Sequence, residues 1–209
     1  MKELNAEPNQ VETKNMDRDS RKKQPEEKPS SPWIEPWIEA AQTVGLSIVL
    51  ALGIRTFVAE ARYIPSGSML PTLEVNDRLV IEKISYLFHA PERGDIVVFH
   101  PPAAAGEQFA HDAFIKRVIG LPGERVAVKD GKVYIDEKPL AEGYIASLPA
   151  YSWGPNTVPP GSYLVFGDNR NNSDDGHVWG FLPGDRIIGR ATVRFWPFNR
   201  LAYLADPNY

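Results

Sequence analysis

Two serines separated by one glycine, Ser66-Gly67-Ser68, stand between Pro65 and Pro71 in the stretch Tyr63 to Leu73. Proline fixes its own φ and keeps the preceding residue extended, so Ile64 and Leu70 are held out of helix. Gly67 frees the backbone for a tight turn. Such a turn presents Ser68 with backbone N–H groups facing outward, as a nucleophile and an oxyanion hole require. The same composition also suits a plain surface turn, so the serine needs a base. Histidine is the familiar one, and His111-Asp112 is the tempting pair, but it sits in the most loop-like stretch of the chain. Lysine is the other solution, provided it is desolvated enough to be neutral. Lys116 lies in Phe114-Ile-Lys-Arg-Val-Ile119. On a strand, period two puts Phe114, Lys116 and Val118 on one face and Ile115, Arg117 and Ile119 on the other. An amine between Phe and Val suits a desolvated base, and it equally suits a lysine snorkelling from an exposed edge.

A third polar constellation is Gly167-Asp-Asn-Arg-Asn-Asn-Ser-Asp-Asp-Gly-His-Val-Trp-Gly180. Alone it is a solvated loop. Bracketed by Val165-Phe166 and by Trp179 and Phe181, it is expected to be clamped to the core and to hold a neighbouring group in place. Cysteine is absent, which excludes disulfides, thiol catalysis and Cys-ligated zinc and fits an extracytoplasmic location. The four histidines are scattered without metal-ligand spacing, so neither metal nor cofactor is expected. A formal net charge of −4 argues against a nucleic-acid partner.

These residues must be positioned by the elements around them. Residues 1–32 carry almost nothing apolar and are read as a disordered tail. Residues 36–58 follow as an apolar helix with no charge from Ala40 to Ile54. About nineteen residues at 1.5 Å each cover roughly 28 Å, close to the hydrocarbon core of a bilayer. Trp33 and Trp37 stand at one end and Arg55 at the other. Arg21, Lys22, Lys23 and Lys28 before the helix outnumber Arg55 and Arg62 after it, which sets the tail in the cytoplasm and the rest on the far side. Ala59-Glu60-Ala61 has the small-x-small pattern of a signal-peptide cleavage site, but the long mixed-charge tail makes a poor n-region, so an uncleaved anchor is expected. From residue 62 to 209 the pattern is of short strands: 78–82, 95–99, 114–119, 162–167 and 186–196, with a hairpin 126–135 turning at Asp130-Gly131. Residues 101–113 read as a loop and 137–160 as irregular. The expected fold is mainly β, an antiparallel domain with one N-terminal transmembrane helix.

Four motifs in this order carry a resemblance. They are Ser66-Gly-Ser-Met-Leu-Pro-Thr-Leu73, Gly94-Asp-Ile-Val-Val-Phe99, Lys116-Arg-Val-Ile-Gly-Leu-Pro-Gly123, and Gly167-Asp-Asn-Arg170 with Ser173 and Asp175. Together with a preceding anchor, over about residues 37–198, they closely resemble bacterial signal peptidase I. The resemblance implies that Ser68 is the nucleophile, Lys116 the general base, and Ser66 an oxyanion-hole donor beside the Ser68 N–H. It implies that Ser173 orients the lysine amine, that Asp175 and Arg170 brace the loop, and that Ile64, Met69, Leu73, Leu79, Ile81 and Ile115 line shallow pockets selecting Ala-x-Ala sites. The implied partners are signal peptides of exported precursors, the lipid bilayer and a neighbouring translocation channel. The implied location is a plasma or thylakoid membrane. The chain departs from many members at His177, where they carry arginine, and at Gly176, where they carry serine. Histidine there resembles the cyanobacterial and plastid branch. Two other readings are a membrane-anchored, non-catalytic β-domain and a self-cleaving repressor-type Ser-Lys peptidase, which would carry a DNA-binding domain where this chain has its anchor.

Overall fold

The computed structural model describes residues 35–204 and 207, so the tail expected over 1–32 lies outside it. Helix α1 (Glu35–Gly53) runs on as five π-helical residues, Ile54–Val58. With no proline after Pro36 nothing breaks it. Pro36–Val58 is 23 residues long, apolar enough to cross a membrane, and not buried by the rest of the protein.

The chain then becomes antiparallel β-structure: β1 (Ala59–Tyr63), β2 (Arg78–Glu82), β3 (Ile96–Phe99), β4 (Phe114–Gly120), β5 (Arg125–Lys129), β6 (Lys132–Ile135), β7 (Lys138–Pro139), β8 (Trp153–Thr157), β9 (Ser162–Phe166), β10 (Leu182–Pro183), β11 (Ile187–Trp196) and β12 (Ala202–Tyr203). One short helix, α2 (Gly176–Trp179), stands between β9 and β10. The larger sheet has the order β1-β2-β11-β3-β4-β9-β10, with β12 on β11, and the smaller one the order β7-β6-β5-β8. The hairpin β5–β6 turns at Asp130 (φ 52°) and Gly131 (φ 72°), two positive-φ residues as a type I′ turn demands.

Two stretches differ from the sequence expectation. Residues 137–160 hold β7 and β8 rather than only irregular chain, because β8 is the edge of its sheet and an edge tolerates Gly154 and Pro155. Residues 59–61 form the start of β1, with Ala61 opposite Val80 and Arg62 opposite Leu79 of β2. β1 is the edge of its sheet, and the charged Glu60 and Arg62 suit that edge. Arg62 Nε donates to Glu60 at 2.6 Å, and Lys83 reaches the other Glu60 oxygen at 2.9 Å.

Three buried clusters hold the sheets. Ile64, Met69, Leu73, Leu79 and Ile81 pack with Ile96, Val98 and Ile115 under the serine turn. Val97, Phe99, Val118, Tyr163, Val165, Trp179 and Leu182 form a second cluster. Ile119, Leu164 and Phe166 of the large sheet pack on Val126, Val128 and Val133 of the small one in the third. The sheets approach so closely at Gly120 that a β-carbon there would lie 2.8 Å from a Val126 methyl. On one side β4 pairs with β3 from Phe114 to Arg117. On the other, β9 reaches only Arg117, Val118 and Gly120 before the chain turns away at Gly167. Among the described residues no strand continues β9 alongside Phe114 and Ile115. That free edge opens the site.

Candidate active site

Lys116 Nζ and Ser68 Oγ are hydrogen-bonded at 2.8 Å. β4 sets the lysine, whose backbone pairs with Val97, and the side chain is 5% exposed. The Phe114 ring, two residues back on the same face, has its centre 5.7 Å from the amine. Burial disfavours the ammonium form and pushes the lysine pKa down from its ordinary value to about 8, against the opposing pull of the Asp175, Asp174 and Asp168 charges. At pH 7 about one amine in ten is then neutral and able to accept a proton. Ser66 Oγ stands 3.5 Å from Ser68 Oγ on the exposed side of the turn. A cleft of about 620 Å³ opens over the pair, with Ile115, Tyr63, Phe109 and Phe114 on its walls.

The loop after β9 clamps the serine turn. Asn169 donates from its backbone N–H to the Ser68 carbonyl at 3.0 Å and from its side chain to the Gly67 carbonyl at 3.0 Å. Arg117 forks onto Asp168 through Nε at 2.9 Å and Nη2 at 2.7 Å, and Thr72 Oγ1 donates to the same carboxylate at 2.5 Å. The serine turn, the lysine strand and the loop therefore meet at one buried carboxylate. Arg170 and Asp175 both hold Gly167: Arg170 Nε donates to its carbonyl at 3.1 Å, and its N–H donates to Asp175 Oδ2 at 2.8 Å. Asp175 also caps α2 through the His177 N–H and pairs with His177 Nδ1 at 2.7 Å, while the His177 ring stacks on Tyr151. Arg170 completes its bonding on Glu142 at 2.7 Å.

A serine bonded to a buried amine, beside a cleft along a free strand edge, is the set of groups that attack on a carbonyl carbon requires. Residues 37–196 match the family described as signal peptidase, peptidase S26. The chain belongs to that signal peptidase family. It is 65% identical over 174 residues to signal peptidase I of Leptolyngbya laminosa, covering 82% of this chain and 86% of the relative. Against probable signal peptidase I-2 of Synechocystis it is 56% identical over 194 residues, 93% of this chain and 87% of that one. Probable thylakoidal processing peptidase 2 of Arabidopsis thaliana shares 42% identity over 166 residues, 78% of this chain and 45% of its own length. The peptidase is thus a hydrolase of the cyanobacterial and plastid-like branch, and its fold is mainly antiparallel β.

Of the residues expected at the site, the signal peptidase fold brings Ser66, Ser68, Lys116 and Ile115 to the cleft. Ile64, Met69, Leu73, Leu79 and Ile81, expected on its walls, are instead fully buried in the layer beneath it. Leu79 and Ile81 point into the core because a strand alternates its faces, and the serine turn tucks Ile64, Met69 and Leu73 under itself. Ser173 was expected to bond the lysine amine, but its Oγ is buried and has no hydrogen-bond partner, while the amine bonds Ser68. The Ser173 hydroxyl lies against Gly167, next to the Ser68 carbonyl. His111 is exposed, and Asp112 reaches the cleft without bonding the serine.

Sequence reasoning missed Arg117, Asp168, Thr72 and Asn169 as positioning groups. The signal was present, since Arg117 adjoins Lys116 and Asp168 and Asn169 lie within the polar run. Asp168→Asn would leave the Arg117 guanidinium, 2% exposed, without its counter-charge. A loss of about 3–5 kcal/mol of stability is expected, read as a fall in the denaturation midpoint of the detergent-solubilised chain. A β-carbon on Gly167 would collide with the Ser68 carbonyl and the Ser173 hydroxyl. Gly167→Ala is therefore expected to displace Ser68 by a fraction of an ångström and lower kcat about 10²-fold, with a smaller change in KM in a precursor-cleavage assay.

Proposed function

We propose that this signal peptidase cleaves exported precursors after Ala-x-Ala-type sites by a Ser68–Lys116 dyad, anchored in the bilayer by residues 36–58. The observation that carries the proposal is the 2.8 Å contact between a buried, pKa-lowered lysine and a serine at the mouth of a cleft. Neutral Lys116 takes the Ser68 proton while Oγ attacks the carbonyl carbon of the last signal-peptide residue. The Ser66 hydroxyl and the Ser68 N–H donate to the oxyanion, each worth roughly 3–4 kcal/mol if lost. The lysine ammonium gives its proton to the leaving amine, and the acyl group is left on Ser68 as an ester. Neutral again, Lys116 activates a water that releases the signal peptide. The unpartnered Ser173 Oγ becomes an acceptor for the ammonium once the proton has moved, while Asp175 and Arg170 hold Gly167 and the loop.

The substrate lies extended along the free edge of β4, with alternate side chains facing Ile115 and the buried layer of Ile64, Met69, Leu73, Leu79 and Ile81. Little room above a packed floor favours alanine at the first and third positions before the cut. The anchor keeps the site at the membrane surface where a signal peptide emerges from a translocation channel. The tail is cytoplasmic, and the peptidase domain, 62–209, is on the outer or lumenal side. Incubating the detergent-solubilised full chain with a labelled Ala-x-Ala precursor tests this. The expected product is one mature protein cut after the second alanine, and an intact precursor would overturn the proposal.

A further inference from the structure

Most of the cleft lining precedes Ser68 and Lys116 in the sequence, with Asn172 and Asp174 of the loop after β9 added. Upstream of Ser68 and Lys116 in the sequence, Tyr63, Pro65, Ser66, Ala113, Phe114 and Ile115 line it. Immediately downstream, Met69 and Arg117 are buried. Signal peptidase substrates share a signal peptide and differ in the protein that follows it. The built side of the cleft therefore receives the signal peptide.

Spacing then assigns positions. Phe114 lies two residues back from Lys116, about 7 Å along a strand, which matches two residues of an extended substrate. With the last signal-peptide residue beside Lys116, the third residue before the cut comes opposite Phe114. The Phe109 ring meets Phe114 in an edge contact with centres 5.4 Å apart and also lines the cleft. The next substrate side chain on that face, the fifth residue before the cut, is the one assigned to it. The loop between β3 and β4 carries Phe109 on a short 3₁₀ turn, Glu107–Phe109, entered through Gly106 at φ 115°. Phe114 is tied down by its strand and by an edge contact with buried Phe99. An exposed loop thus holds a half-buried aromatic ring over an apolar strand residue at the cleft's far end. This is the form of a binding wall for an apolar side chain.

We propose that Phe109, with Phe114, forms an outer subsite that binds an apolar side chain about five residues before the cut, where the apolar part of a signal peptide ends. The subsite rests on the dyad reading and deepens it. It makes the enzyme read the end of the apolar segment as well as the alanines, so Phe109 is a specificity residue that touches no reacting atom.

The test uses the full chain in detergent and a peptide series with Ala-x-Ala held constant and serine as background. A single leucine is walked from the fourth to the eighth position before the cut. For wild type, kcat/KM is expected to peak with leucine near the fifth position, about 10-fold above the all-serine peptide. In Phe109→Ala that leucine-to-serine ratio is expected to fall close to 1, and in Phe109→Leu, which keeps an apolar wall, to remain above 3. A flat leucine walk in wild type, or an undiminished ratio in Phe109→Ala, overturns the subsite. Because the readout is a ratio between peptides, a general loss of activity leaves it unchanged. Failure of the dyad would appear separately, as cleavage by Ser68→Ala.

Discussion

Ser68→Ala is expected to lower kcat/KM for precursor cleavage by about 10⁴–10⁶-fold, to the floor set by binding and the remaining oxyanion donors. As the proposed nucleophile, Ser68 would supply the atom that bonds to the substrate. Ser66, the nearest hydroxyl, is 3.5 Å from Ser68 Oγ, while the lysine amine is bonded to Ser68. The substitution removes the bonds of Ser68 Oγ to Lys116 and Ser66, one of them to a buried amine, so the fold should lose about 1–3 kcal/mol. The melting transition should therefore survive while turnover disappears. Activity within tenfold of wild type would exclude Ser68 as nucleophile.

Lys116→Met is expected to abolish cleavage to a similar degree, because methionine has nearly the shape of the lysine stem and no basic atom. The two effects should not add. A serine without its base and a base without its serine are equally inert, so the double variant should be no slower than either single one. Stability should move the other way. Below pH 8 the native protein holds an ammonium that its surroundings disfavour. The lowered pKa means stability is gained as pH rises through the lysine range and is absent below it. Exchanging that amine for an apolar group of similar volume should raise stability at pH 7 by on the order of 2 kcal/mol. A loss of activity accompanied by a loss of fold would indicate a structural lysine instead.

The residues proposed to do chemistry were legible in the sequence to differing depths. Turn chemistry and a period of two made Ser68 and Lys116 candidates, and the resemblance carried by four ordered motifs singled them out. The hairpin at Asp130-Gly131 was legible because local chemistry dictates it. Bonds between distant residues were not. Arg117 and Asp168 lie 51 positions apart and Thr72 and Asp168 96 apart. Only the sheet order, with β4 between β3 and β9, brings them to one point. Apolar residues beside the serine turn look alike in sequence whether they face a substrate or a core, so the burial of Ile64, Met69, Leu73, Leu79 and Ile81 beneath the cleft was not legible. β8 was missed because Gly154 and Pro155 read as loop, and only its place at a sheet edge makes them tolerable. His177 was visible as a departure, but its stacking on Tyr151 and its bond to Asp175 depend on α2.

The most direct test of the dyad is the pH dependence of kcat/KM for a precursor peptide without ionisable groups near the cut. With Lys116 as base, kcat/KM should rise about tenfold per pH unit at low pH, bend once near pH 8 and level off above it. A single bend near 6.5, the ordinary value for histidine, would contradict a lysine base and direct attention to His111.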